Sequence, residues 1–204
     1  ALTKAWPTQQ PIRMVDQLLP GPSGKRRRWT VADQFLVDEA NSLLVGTPFT
    51  FGHVVVDEAQ DHSAVALRCI GRRSPAASLA LLGDLAQSTT PAGQRDWDDV
   101  LRLLRAGVGV AAAEVAHLTI GYRVPAPILD VANRLLPHTG VATQASRSVR
   151  LEGEPPAVTL VDSAALADAV AASVVAVRHR HHNSGLVAPE PLHAAIAEAL
   201  AAHG

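Results

Sequence analysis

Val54-Val55-Val56-Asp57-Glu58-Ala59-Gln60-Asp61 joins an apolar, β-branched run to two adjacent carboxylates. Three consecutive valines suit a short buried strand, and the acidic pair then falls at its carboxyl end, where ligands bind in open α/β sheets. An acidic pair in that place suits nucleotide hydrolysis. Asp57 can hold magnesium, directly or through its water, while Glu58 can orient and deprotonate an attacking water. The same two carboxylates could equally be solvated residues at a helix start, where the helix dipole favours them.

Outward from this stretch, short apolar runs alternate with amphipathic segments. Thr30 followed by Asp33 resembles a capping box, and Val31, Phe35, Leu36, Leu43 and Leu44 recur near helical spacing, so the sequence predicts a helix ending about Gly46. Strands are expected at His53 to Val56, Leu79 to Leu82, Val115 to Ile120, Ala157 to Val161 and Gly185 to Ala188, with a further helix beginning near Asp96. This order argues for an α/β chain with a mostly parallel sheet and helices on both faces. Residues Pro7 to Arg28 and Pro137 to Pro156, rich in Pro, Gly, Ser and Arg, read as loops.

Composition narrows the class. The chain has 204 residues, 48% of them hydrophobic, enough for a buried core. Its 18 basic and 19 acidic residues give a net charge of -1, which excludes a uniformly basic nucleic-acid coat but leaves room for a local basic groove. The single cysteine, Cys69, excludes an intrachain disulfide framework, and with no signal pattern at Ala1 to Gln10 a cytoplasmic location is expected. Ala164 to Val177 is the most apolar stretch, but Asp168 interrupts it and it is too short to span a bilayer, so no membrane partner is expected. His179, His181 and His182, beside Arg178 and Arg180, read as a solvated helix end and not a metal site.

Two further clusters give the acidic pair a context. The run Asp57-Glu58-Ala59-Gln60-Asp61 resembles motif II of the UvrD/Rep-like superfamily 1 helicases, and Leu81-Leu82-Gly83-Asp84-Leu85-Ala86-Gln87-Ser88 resembles motif III. Gly121-Tyr122-Arg123, followed by Ile128 and Ala132-Asn133, resembles motif IV. All three follow in the family's order, each at the end of an expected strand. The resemblance implies a P-loop NTPase (RecA-like) motor architecture, incomplete here, with ATP and magnesium as cofactors. It gives Asp57 to the metal, Glu58 to catalysis, Gln87 to the γ-phosphate, Tyr122 to stacking on the adenine and Arg123 to the arginine-finger role. An aromatic face suits a base, and a fixed guanidinium suits charge developing on a transferring phosphoryl group.

Trp29-Thr30-Val31-Ala32-Asp33, Gly52-His53 before the valines, and Ser146-Arg147-Ser148-Val149-Arg150 are most similar to the HelD-type RNA polymerase-associated motors. That resemblance implies RNA polymerase as the partner, with DNA the alternative. Residues 1–28 are then expected to form a connector, 29–114 the distal part of a first motor domain, and 115–204 the beginning of a second.

The sequence departs from the family in what it lacks. The Gly-rich loop G-x-x-x-x-G-K-[ST] that cradles phosphates is absent, and Gly21-Pro22-Ser23-Gly24-Lys25-Arg26 matches it neither in spacing nor in its last residue. The late motifs of the second motor domain are absent too, so the chain reads as an internal fragment without the N-terminal and C-terminal motor segments. Gln87-Ser88 continues into Thr89-Thr90-Pro91, without the aromatic residues that stack on single-stranded bases in unwinding members. An alternative of another class is a decayed or split half, binding polymerase or DNA without turnover.

Overall fold

The computed structural model describes residues 11–18, 29–47, 49–105 and 113–203. In chain order the regular elements are α1 (Pro11–Leu18), α2 (Val31–Leu44), β1 (Val54–Val56), α3 (Ala64–Arg72), β2 (Leu79–Leu81), α4 (Trp97–Arg105), β3 (Ile120–Gly121), α5 (Ala126–Leu135), β4 (Arg147–Ser148), α6 (Leu166–Arg180) and α7 (His193–Ala202). The chain is thus mixed helix and sheet with short parallel strands. β1 pairs with β2 in parallel, Val54 opposite Leu79 and Val56 opposite Leu81. A parallel pair needs a crossover between its strands. Here α3 supplies it.

α3 starts where Ser63 Oγ accepts the Ala66 N–H at 3.3 Å, filling one of the donors that a helix start leaves open. Its Leu67 is fully buried with Val100 and Leu104 of α4, and Leu79 and Leu81 of β2 pack against the same group. Each such buried aliphatic side chain contributes roughly 1.5–3 kcal/mol. The two helices approach so closely at Gly71 that a β-carbon there would lie 2.2 Å from the Leu104 carbonyl oxygen.

The other side of α3 meets α2. The expected capping box is present: the Asp33 N–H donates to Thr30 Oγ1 at 3.3 Å and the Thr30 N–H to the Asp33 carboxylate at 2.8 Å. From α2, Glu39 takes Arg68 at 3.2 Å and Arg72 at 2.6 Å, while Asp38 pairs with Arg73. Arg73 also lies 4.3 Å over the Phe49 ring. Cys69 sits inside this ionic seam, its thiol donating to the Phe35 carbonyl at 3.4 Å. Burial, then a hydrogen bond with Asp38, push the thiol from 9.0 up to about 12, although Arg72 pulls the other way.

β3 pairs in parallel with β4, Ile120 opposite Arg147 and Gly121 opposite Ser148, forming a second two-stranded sheet. The chain divides into two compact units, one up to Pro155 and one from Pro156 onward. In the second, α6 and α7 pack together, with Ala171, Ile196 and Ala199 buried. No helix among the described residues is long and apolar enough to cross a membrane.

Pro11–Leu18, expected as loop, is α1: Pro11 occupies a helix start, where its missing N–H is no loss, and Val15 is buried against Ala40 of α2. The rest of that expected loop, including the Lys25-Arg26-Arg27-Arg28 cluster, lies outside the described residues. Of the strand expected at Val115 to Ile120, only Ile120 is paired, and β4 falls within the loop expected at Pro137 to Pro156. Ala157 to Val161 and Gly185 to Ala188 form no strand, because among the described residues no strand pairs with them, and Val158, Leu160 and Val187 are 83%, 95% and 99% exposed.

Two measurements check this packing. Gly71→Ala is expected to cost about 1–3 kcal/mol of stability, since the backbone of Leu104 must retreat, and urea unfolding measures it. For Cys69, whose pKa is raised on folding, the stabilisation is complete below 9.0 and is lost as pH climbs towards about 12. The fall in unfolding free energy between neutral and strongly alkaline pH is therefore expected to be smaller in Cys69→Ala than in the unaltered chain, and alkylation of the native thiol at neutral pH to be slow.

Candidate functional site

Beyond their paired residues, β1 and β2 remain tied: the Leu82 N–H donates to the Val56 carbonyl at 2.8 Å and the Ala59 N–H to the Leu82 carbonyl at 2.9 Å. The chain must therefore turn sharply after Val56. It does so at Glu58, which takes φ 50° and ψ 43°, a left-handed conformation that costs a residue with a β-carbon on the order of 1–3 kcal/mol. Asp57 supports the turn by accepting the Glu58 N–H at 3.0 Å. Ala59 and Gln60 then enter a buried 3-10 turn, Ala59–Asp61, leaving the side chains of Asp57 and Glu58 exposed.

Gln60 is 1% exposed and faces two loops at once. Its Nε2 donates to Glu58 Oε2 at 2.8 Å and its Oε1 accepts the Asp84 N–H at 3.1 Å. Asp84 in turn caps a second 3-10 turn, Leu85–Gln87, accepting the Ala86 N–H at 3.0 Å and the Gln87 side-chain amide at 2.8 Å. A continuous run of hydrogen bonds thus leads from Glu58 through Gln60 and Asp84 to Gln87. Gly83 makes the approach possible, because a β-carbon there would come within 2.4 Å of Gln60 Oε1. Two more contacts close the loops: the Asp61 carboxylate accepts the Thr89 N–H at 2.9 Å, and the Gln60 carbonyl accepts the Gln94 N–H at 2.6 Å.

Tyr122 and Arg123 follow β3 on the second sheet. Both are exposed, Tyr122 at 72%. Their loop is held by the Ser146-Arg147-Ser148-Val149-Arg150 run: Ser148 Oγ donates to the Val124 carbonyl at 2.5 Å, and Arg150 Nη1 to the Arg123 carbonyl at 2.7 Å. Asn133 of α5 exchanges hydrogen bonds with the backbone of Ser146 at 2.7 and 3.3 Å, fixing the start of β4.

Glu58 and Gln87 are thus brought together through two intermediaries, with Asp57 beside them. Among the described residues no hydrogen bond or ion pair joins Tyr122 or Arg123 to that group. A cavity of about 880 Å³ is lined by Asp84, Gln87 and Trp97 on one side and by Leu129 and Asn133 of α5 on the other. Gln87 borders it. Asp57, Glu58, Tyr122 and Arg123 do not line it.

The parts played by Gln60 and Gln94 leave no mark in the sequence. A glutamine two residues beyond an acidic residue carries no spacing signal of its own; only the burial of Gln60 between two loops reveals it. The histidines of the α6 end are exposed, and among the described residues no group of three or more His, Cys, Asp or Glu is placed to hold a metal ion. Compared with models of protein families and with curated proteins, the chain matches none.

Proposed function

We propose that this chain carries the hydrolytic side of an ATP cleft of the UvrD/Rep-like superfamily 1 type, on a P-loop NTPase fold, in a motor that acts on RNA polymerase or DNA. The observation that carries the reading is the strained Glu58, held by Gln60 and linked through Asp84 to Gln87 at the ends of two adjacent parallel strands. Backbone strain held by buried hydrogen bonds is the kind of constraint that gathers at reactive sites. A carboxylate so positioned suits general-base work on water, and a glutamine beside it suits contact with a terminal phosphate.

Magnesium fits the donor set. Asp57 is an exposed carboxylate at a strand end, and this ion is commonly held by one or two carboxylates together with phosphates and water. Bound by Asp57, the ion would supply positive charge that offsets the charge of the phosphates. Asp57 would hold the ion, Glu58 would take the proton of the attacking water, Tyr122 would offer its open ring face to the base, and Arg123 would bring positive charge to the phosphates. The triphosphate fits only in part, since the sequence has no Gly-rich phosphate loop to neutralise and position it.

Two outcomes test the reading. The 204-residue chain by itself is expected to release no phosphate from ATP above background and to bind a fluorescent ATP analogue with magnesium only feebly; turnover that disappears in Glu58→Gln would show that the chain has a phosphate-binding element of its own, around Gly21 to Lys25. In a longer chain that joins these residues to a phosphate loop, Glu58→Gln is expected to lower turnover by about 10²–10⁴-fold with ATP binding largely kept, and Asp57→Asn to weaken magnesium-dependent binding. Equal loss of binding in both variants would make Glu58 a ligand and not the base. A longer chain that binds polymerase or DNA but never turns over would favour a non-catalytic binding module.

A further inference from the structure

We infer that Gln60 is a positioning residue that couples the placement of the Glu58 side chain to the Asp84–Gln87 turn, so that the two loops respond as one unit. Its orientation is fixed by chemistry. A carboxylate can only accept and a backbone N–H can only donate, so the amide nitrogen must face Glu58 and the amide oxygen must face Asp84. Burial makes both bonds costly to lose, because no water can replace the partner of an amide this far from solvent.

Neither end has slack. On the far side, Gly83 already brings the backbone as close to Gln60 Oε1 as the absence of a β-carbon permits. On the near side, the Gln60 carbonyl is held by Gln94 and the neighbouring Asp61 by Thr89. A change in the Glu58–Gln60 hydrogen bond therefore alters the placement and polarisation of the Gln60 amide and with it the hydrogen bond to the Asp84 N–H. Asp84 transmits the change, since its own carboxylate holds the Gln87 amide. The functional meaning of the relay, agreement between a catalytic base and a phosphate contact, rests on the function proposed above. The coupling itself does not.

A nucleotide-free NMR cycle on the 204-residue chain tests it. Glu58→Gln removes the charge but keeps the shape, and is expected to move the Asp84 backbone amide and Gln87 side-chain amide signals. In a Gln60→Met background, which keeps side-chain length but cannot relay, the same substitution is expected to move them about threefold less or smaller still. Amide signals of Val100 and Leu104 report whether the core is intact. Should Gln60→Met disturb them, Gly83→Ala serves instead, pushing the Gln60 amide oxygen aside from the opposite loop while Glu58 and Gln60 both remain; the same reduction is expected. Shifts of undiminished size in either background overturn the relay. Since no nucleotide is present, that failure is distinct from a failure of the turnover test for Glu58.

Discussion

The parallel pairing of Val54–Val56 with Leu79–Leu81 is the constraint from which the rest of the first unit follows. Two strands running side by side in one direction must end side by side, so the loops that leave them are adjacent however far apart they lie in sequence. The carbonyls of Val56 and Leu82 extend that adjacency beyond the strands, and Gln60 occupies the space between. The crossover helix is locked by Leu67 beneath β2 and by the Glu39 and Asp38 ion pairs along α2, which holds the strand ends in register.

How much of this could be read from residues alone varied with how local the deciding interaction was. Thr30 and Asp33 announce the start of α2 because the capping box closes within three residues, and Val54–Val56 announces itself by β-branching. Pro11–Leu18 was hidden because its helicity depends on Val15 reaching Ala40, a tertiary contact. β4 is two residues long and exists only through its pairing with β3. In the other direction, Ala157 to Val161 has the composition of a strand, but composition cannot supply a neighbouring strand.

The site divides along the same line. Asp57, Glu58 and Gln87 were legible as residue types at strand ends, while the means of joining them was not, since a hydrogen bond from residue 60 to residue 84 has no signature in sequence spacing. In sequence the Ser146-Arg147-Ser148-Val149-Arg150 run is only a likeness. Physically it is the frame of the Tyr122-Arg123 loop, with Ser148 and Arg150 each binding a carbonyl of that loop.

At Glu58 the left-handed backbone and the hydrogen bond to Gln60 pull stability in opposite directions. Glycine is the residue best suited to φ 50°, and it would relieve on the order of 1 kcal/mol of strain there. It would also delete the carboxylate and leave the Gln60 amide facing nothing. The strain relieved is no larger than the roughly 1–3 kcal/mol lost when a buried amide has no partner, so selection for thermal tolerance alone gains little from glycine here, and the carboxylate is kept at little net expense to the fold.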